Sequence, residues 1–237
     1  MKNRNIKNPM IILCGGRGKR MGKITKKIPK PMIKIGKKPI IEHKIKYYQS
    51  EGIQKFIFCL GYKSKILKNF LLKKNKFKNV FNDAGLKPGI LKRIFYVKDM
   101  IVQSTLISYG DTLAKINFKK LIRNHEKSKC VITIVVAPIQ NPFGIVKWNS
   151  RGKATNFNEK PVLNHFIGYA VISPNFFKKI DNKFINLSDG KGVVEAINYL
   201  IKKKQVNIFK FNDMQITINS PNELKDAKLN YNKYFTL

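Results

Sequence analysis

Short apolar runs alternate along the chain with stretches in which apolar residues recur every three or four positions. The continuous runs predict buried strands over residues 10–14, 55–60, 106–109, 130–137 and 206–211. The three-to-four-residue spacing predicts helices over residues 40–51, 64–72, 118–127 and 193–204. The pattern therefore alternates between strand and helix along most of the chain.

Strands that alternate with helices favour βαβ units, and continuous apolar strands are typical of a sheet covered on both faces. We therefore expect an α/β fold with a Rossmann-like, mostly parallel mixed sheet in three layers. In such sheets ligands bind beyond the carboxyl ends of the strands. A glycine loop after Cys14 and a Gly110-Asp111 pair after the third strand both fall at such ends.

Composition narrows the class of protein. The 237 residues fit one domain, and 43% hydrophobic content excludes a disordered chain. No apolar run is long enough to span a membrane, and three isolated cysteines indicate a reducing, cytoplasmic location. The net charge of +35 has two explanations, binding to a polyanion or drift toward AT-rich codons, and the even spread of lysines favours drift.

The first candidate for chemistry is the loop Gly-Gly-Arg-Gly-Lys-Arg-Met-Gly at residues 15–22. Glycines after a strand let backbone N–H groups approach phosphates, and the basic side chains add positive charge. The spacing fits neither the Walker loop nor the dinucleotide fingerprint. A purely structural turn is about as probable as a phosphate site when the loop is taken alone.

Three further motifs carry charged residues beside rigid backbone. Lys30 stands between two prolines, Asp111 follows a glycine at a strand end, and Glu159-Lys160 precedes a proline. Each has an ordinary structural explanation: a loop with a solvated lysine, an aspartate that caps the next helix, and a surface turn. An aspartate at a strand end is also well placed to hold Mg²⁺ on a nucleotide.

The four motifs together, in this order, resemble the sugar-phosphate nucleotidyltransferase (NDP-sugar pyrophosphorylase) family. The motifs read GGRGKR, PKPM, YGDT and NEKP, and the resemblance covers nearly the whole chain. Residues 30–63, the PGILKR segment at 88–93 and Phe143-Gly144 most resemble the glucose-1-phosphate cytidylyltransferase branch. The family implies the nucleotide-diphospho-sugar transferase fold in a single domain, with residues 1–130 binding nucleotide and 131–237 binding sugar phosphate.

The resemblance also implies roles for individual residues. Catalysis would involve Arg20, Lys30 and Asp111, with Asp111 also holding the metal. The nucleotide-binding residues would be Gly15, Gly16, Gly18, Lys19 and Gly89. The sugar-phosphate-binding residues would be Glu159, Lys160 and Gly168. The expected cofactor is Mg²⁺.

The chain departs from the family at several places, and two of these departures bear on the metal and on the nucleotide. Where the family carries a second metal carboxylate, the aligned positions are Thr217 or Asn219, with Asp213 out of register. Ile90 stands where the cytidylyltransferase branch has an arginine, which weakens the prediction that CTP is the substrate.

The resulting hypothesis is a cytoplasmic enzyme of nucleotide-sugar biosynthesis that joins a nucleoside triphosphate, CTP before others, to a sugar 1-phosphate. Its partners would be these two substrates, with no specific nucleic acid and no membrane span, and the sequence leaves a homo-oligomer open. The alternatives are a catalytically impaired nucleotide- or sugar-binding regulatory paralogue and a basic polynucleotide-binding protein.

Overall fold

The structure, a computed structural model, describes residues 5–74 and 78–235. The helices are α1 Lys23–Lys27, α2 Ile40–Ser50, α3 Ser64–Lys73, α4 Ile90–Phe95, α5 Phe118–Ser128, α6 Lys191–Lys202 and α7 Pro221–Phe235. The strands are β1 Met10–Leu13, β2 Lys34–Ile35, β3 Lys38–Pro39, β4 Lys55–Leu60, β5 Lys78–Asp83, β6 Thr105–Tyr109, β7 Thr112–Ala114, β8 Ile132–Gln140, β9 Ile145–Trp148, β10 Ala154–Asn158, β11 Val162–Ile172, β12 Val206–Lys210 and β13 Gln215–Thr217.

Seven strands form one central sheet in the order β12-β8-β11-β6-β1-β4-β5. Every neighbouring pair is parallel except the two that involve β11, which runs antiparallel to both β6 and β8. The mixed, mostly parallel sheet predicted from the apolar runs is therefore confirmed. It places the carboxyl ends of β1 and β6 side by side, because these two strands pair in register.

Apolar side chains cover both faces of the sheet. Along β1, Met10 and Ile12 point into a cluster with residues of α2, α3 and α5, whereas Ile11 points to the other face, toward α4 and α6. This alternation follows from the two-residue repeat of a strand. It explains why the strands read as continuous apolar runs and confirms the three-layer arrangement.

Sequence patterns located most of the parallel strands but missed β11, which with 11 residues is the longest strand of the sheet. Asn164, His165 and Gly168 interrupt its apolar pattern. The register shifts between Phe166 and Ala170, where Gly168 adopts a φ of +77°. A bulge of this kind requires a conformation that glycine reaches most easily.

The end of the chain returns to its first half. Strand β13 pairs with β7, and α7 packs against β2. The α7 helix begins with a capping box, since the Glu223 carboxylate accepts from the Ser220 N–H at 2.8 Å while the Ser220 hydroxyl accepts from the Glu223 N–H at 3.3 Å. The division at residue 130 stays a prediction, and strands from both sides of it share the central sheet.

No helix in the described part of the chain combines the length and apolar character needed to cross a membrane.

Candidate active site

A cavity of about 630 Å³ opens at the carboxyl ends of β1 and β6. Eight residues singled out in the sequence line it: Gly15, Gly16, Gly18, Lys19, Arg20, Lys30, Gly89 and Asp111. The fold therefore brings three of the four sequence motifs together, although they are spread over almost a hundred positions. This is the edge at which ligands of open α/β sheets bind.

The glycine loop forms one wall of the cavity. A Cβ atom on Gly15 would collide with the guanidinium of Arg93, so the loop approaches that side chain as only glycine can. Gly18 adopts a left-handed φ of +63°, and its carbonyl accepts from the Met21 N–H at 2.9 Å and the Thr25 hydroxyl at 3.0 Å. These bonds fix the loop before any ligand binds.

Lys30 and Asp111 meet at the centre of the cavity. The Lys30 Nζ lies 2.6 Å from Asp111 Oδ2, and the two side chains are 11% and 23% exposed. Pro29 and Pro31 flank the lysine and restrict its backbone. Asp111 precedes strand β7, so the explanation of this residue as a cap of the next helix is wrong.

Asn219 joins this cluster from the far end of the chain. Its Oδ1 accepts from Arg20 Nη2 at 2.8 Å and from Lys30 Nζ at 3.1 Å. The Glu223 carboxylate holds the Asn219 backbone N–H through the start of α7. Thr217, the other aligned position, instead directs its hydroxyl to the Thr112 hydroxyl at 3.3 Å. Neutral side chains thus stand at both positions.

Arg93 lines the cavity beside the glycine loop, and the sequence analysis assigned it no role. Its guanidinium is buried, with Nη1 donating to the Leu60 carbonyl at 2.5 Å and Nη2 to the Gly85 carbonyl at 2.8 Å. Burial lowers the pKa of this guanidinium from its ordinary value, and the nearby Cys59 and Asp83 oppose that shift. A basic residue on the otherwise apolar side of α4 is the signal that could have identified it.

The fourth motif, which contains Glu159 and Lys160, does not line the cavity. Lys160 lies on the turn between β10 and β11 with a φ of +44°, and its side chain is 59% exposed. Its nearest charged partner is Glu159, at 3.9 Å and 58% exposed. Gly168 lies closer, since a Cβ there would come within 3.0 Å of the ring of Tyr109, which lines the cavity.

Comparison with known proteins bears directly on this arrangement. The family model described as nucleotidyl transferase matches residues 9–209. The chain belongs to the nucleotidyl transferase family.

Individual relatives within the nucleotidyl transferases agree with that assignment. The chain is 35% identical to a probable glucose-1-phosphate cytidylyltransferase of Bacillus subtilis, over 70% of this chain and 75% of that protein. It is 31% identical to a D-glycero-alpha-D-manno-heptose 1-phosphate guanylyltransferase of Campylobacter jejuni, over 63% and 67% of the two chains. The crystal structure of HddC from Yersinia pseudotuberculosis complexed with GMP-PN has the same fold, with a TM-score of 0.72, 20% identity and coverage of 94% and 99%.

Two carboxylates, those of Asp111 and Asp189, are among the groups that line this nucleotidyl transferase cavity. Among the residues that line it there is no histidine. Tyr109 stays protonated because burial, and to a smaller extent the Asp111 charge, raise its pKa to about 12. The lining carries more cations than anions, which suits the binding of anions: Arg17, Lys19, Arg20, Lys30 and Arg93 against Asp111 and Asp189.

The Asp111 carboxylate lies 2.6 Å from the Lys30 ammonium and 3.5 Å from the Thr112 hydroxyl. The described residues contain no group of three or more His, Cys, Asp or Glu side chains that could hold a metal by themselves. The carboxylate of Asp111, the Asn219 amide oxygen and the Thr217 hydroxyl are hard donors of the kind that Mg²⁺ prefers. One protein carboxylate is sufficient for Mg²⁺ when substrate phosphates supply further oxygens.

Proposed function

We propose that this protein transfers a nucleotidyl group from a nucleoside triphosphate to a sugar 1-phosphate, which yields an NDP-sugar and pyrophosphate. The observation that carries the proposal is the meeting of the glycine loop, Lys30 and Asp111 in one cavity at the carboxyl ends of β1 and β6. Membership of the nucleotidyl transferase family supports it. The sugar phosphate as acceptor is supported by the relatives of B. subtilis and C. jejuni.

The reaction needs little covalent chemistry from the protein. A phosphate oxygen of the sugar phosphate forms a bond to the α-phosphorus. The bond from that phosphorus to the oxygen between the α- and β-phosphorus atoms breaks, and pyrophosphate leaves with that oxygen. The attacking phosphate is ionised at neutral pH, so no proton has to be removed. The chain's contribution is the alignment of two polyanions and the stabilisation of negative charge, which the mostly cationic charged lining of the cavity can supply.

Each lining residue then has a physical role. Backbone N–H groups of Gly15, Gly16 and Gly18 face the triphosphate, with Lys19 and Arg20 adding charge. Lys30 contacts the phosphates at the reacting centre, where its ammonium is already held between Asp111 and Asn219. A charge that is fixed before the reaction stabilises the transition state without reorganising.

Mg²⁺ is the expected cofactor, and Asp111 would hold it, with the oxygens of Asn219 and Thr217 nearby. When bound, Mg²⁺ neutralises negative charge on the phosphates. In its absence Lys30 neutralises Asp111, so neither charge is left unpaired in a half-buried position.

The nucleoside would lie against Leu86, Pro88, Gly89 and Ile90, which line the far side of the cavity. A Cβ on Gly89 would collide with the backbone carbonyl of Leu187, so the wall is closely packed there. CTP is the nucleoside triphosphate that we favour, because the chain is 35% identical to the probable glucose-1-phosphate cytidylyltransferase of B. subtilis. Asp189 also lines the cavity, and Arg93 presents a buried cation toward the same wall.

The decisive experiment measures pyrophosphate release with Mg²⁺ from four nucleoside triphosphates against a panel of sugar 1-phosphates. We expect release only when both substrates are present, with one pair preferred. Triphosphate binding without release from any pair would favour a non-catalytic paralogue, which the neutral Thr217 and Asn219 side chains motivate. Salt-sensitive binding to any RNA or DNA, without preference for triphosphates, would instead favour the polynucleotide-binding alternative.

A further inference from the structure

A buried lysine lies beneath the candidate active site. Lys44, on α2, is 1% exposed. Its Nζ donates to the Thr112 carbonyl and, at 2.9 Å, to the Tyr169 hydroxyl. It also lies 4.8 Å from the centre of the Tyr169 ring and 5.4 Å from that of Tyr48. Within residues 5–74 and 78–235, no carboxylate comes within ion-pair distance of it.

The stability of the fold gives no reason for an ammonium at this point. Removing a charge from water is costly, and one carbonyl, one hydroxyl and two ring faces return only part of that cost. A methionine of similar length would fill the same space without the desolvation penalty. A buried charge of this kind therefore calls for a contribution to function.

The two residues that Lys44 contacts each directly follow a residue that the sequence analysis assigned to the site. Thr112 directly follows Asp111, and Tyr169 directly follows Gly168 in strand β11. The Tyr169 hydroxyl donates to the same Thr112 carbonyl at 2.9 Å. The ammonium thus connects the backbone that carries Asp111 with the strand that packs against Tyr109, through a triangle of hydrogen bonds.

Two further hydroxyls extend the connection around the base of the cavity. Tyr48 donates its hydroxyl to Tyr169 at 3.1 Å and lies 2.6 Å from the hydroxyl of Ser108, in the strand that leads to Asp111. Burial raises the pKa of the Cys14 thiol, at the start of the glycine loop, and the Lys44 ammonium partly opposes this effect. The charge of Lys44 therefore acts at the glycine loop as well as at the Asp111 turn.

We propose that Lys44 is a positioning residue, whose ammonium holds the Asp111 turn in place against β11 so that Asp111 meets the reacting phosphates in a fixed geometry. The inference deepens the proposed function and rests on it wherever turnover is measured. Lys44 itself touches no residue that we assign to substrate binding, and it acts through the carbonyl of Thr112.

The test replaces Lys44 with methionine, and Lys46→Met is the matched control because it removes a charge from the exposed side of the same helix. Three quantities are measured on the full chain: the thermal midpoint, kcat with KM for both substrates, and amide hydrogen exchange over residues 109–114. The Gly110 N–H donates to the Leu13 carbonyl at 3.0 Å, so that segment reports directly on the fixed turn.

For Lys44→Met we expect a thermal midpoint equal to or above that of the unchanged protein. We expect kcat to fall about tenfold or more with KM changed less than about threefold, because a small displacement of an aligned group costs rate rather than binding. Exchange over 109–114 should rise about tenfold. Lys46→Met should change none of these quantities.

Unchanged exchange over 109–114 together with a kcat within about twofold would overturn the proposal, as would a lower thermal midpoint with normal kcat. Tyr169→Phe is the second variant in case Lys44→Met does not fold, and it should raise exchange over the same segment by a smaller factor. The exchange measurement needs no turnover. A protein inactive with every substrate pair therefore refutes the proposed function without deciding the role of Lys44.

Discussion

Two lysines followed by proline, Lys30 and Lys160, have opposite surroundings. Lys30 is 11% exposed and pairs at 2.6 Å with Asp111, 81 positions away. Lys160 is 59% exposed and lies 3.9 Å from its chain neighbour Glu159. The first lysine is fixed by the tertiary structure before substrate arrives, whereas the second has no such support. A proline beside a lysine constrains the backbone, but contacts from distant segments decide whether the charge is fixed.

The same contrast extends to the two halves of the proposed reaction. The cavity holds its glycines, Lys30 and Asp111 through buried bonds, so the triphosphate would meet a prearranged site. Glu159 and Lys160 form an exposed pair, and such pairs contribute little to stability. We infer that the sugar phosphate itself provides most of the order on that side. Substitutions on the two sides should then change different kinetic constants.

The largest effect is expected from Lys30→Met, which removes the fixed charge at the reacting phosphates. We predict a fall in kcat of roughly 100- to 1,000-fold, comparable to the loss of one preorganised donor in other transferase and hydrolase sites. Steady-state pyrophosphate release measures it. Lys34→Met is the control, because Lys34 is exposed on the nearby strand β2. A kcat within tenfold of normal would show that Lys30 does not act on the reacting centre.

The second prediction concerns Lys160→Met. A charge-assisted contact to a phosphate contributes about 1.5–3 kcal/mol, so KM for the sugar 1-phosphate should rise roughly 10- to 100-fold. The KM for the nucleoside triphosphate should stay nearly constant. Lys153→Met, exposed beside strand β10, controls for the loss of one positive charge. If both lysine variants behave alike, Lys160 has no specific contact with substrate.

The sequence was informative where local pattern alone decides the structure. The apolar run over residues 55–60 matches β4 at both ends, and the glycine loop and Asp111 lie at strand ends as expected. The glycine loop and Asp111 came together because β1 and β6 pair in parallel and end at the same edge of the sheet. The parallel part of the sheet was therefore predictable except for β5, whose residues form no continuous apolar run.

Elements and contacts that depend on distant parts of the chain were not predictable from local sequence patterns. Strand β11 lacks a continuous apolar run because polar residues and a bulge interrupt it. Asn219 reaches Arg20 across 199 positions, through the return of α7 to the first half of the chain. Lys44 shares the apolar face of α2 with Ile41, Ile45 and Tyr48, but its contacts with Thr112 and Tyr169 come from distant segments. Each of these roles is created by packing that a one-dimensional pattern does not contain.

The third prediction concerns Asn219, which helps to hold the cations of the triphosphate side in place. Asn219→Ala removes an acceptor shared by Arg20 and Lys30, at 2.8 and 3.1 Å. Hydrogen bonds to charged groups contribute about 1.5–3 kcal/mol, so kcat/KM for the triphosphate should fall by about tenfold or somewhat more. Asn222→Ala is the control, since Asn222 is exposed one position into α7. An Asn219→Ala enzyme with normal kcat/KM would mean that the two cations need no shared acceptor.

The smallest effect is expected at the other end of the sheet, where His125 belongs to the scaffold rather than to the site. Its ring nitrogens lie 2.8 Å from the Thr133 hydroxyl and 2.9 Å from the Ser173 hydroxyl. Burial lowers the pKa of His125 to about 4, from an ordinary value of 6.5. The unfolded chain therefore binds a proton that the folded chain does not, at every pH between those two values.

The sign of the effect on stability follows from that difference. The contribution of the neutral imidazole to the stability of the fold is complete above pH 6.5 and is lost as pH falls toward 4. Solvent in the open pocket beside the ring reduces the effect of burial, so the loss in the free energy of unfolding is about 2 kcal/mol. His125→Gln, which stays neutral, should reduce the fall in thermal midpoint between pH 7 and pH 5. The kcat of His125→Gln at pH 7 should equal that of the unchanged protein. A lower kcat for the variant would mean that His125 is coupled to the cavity at the opposite edge of the sheet.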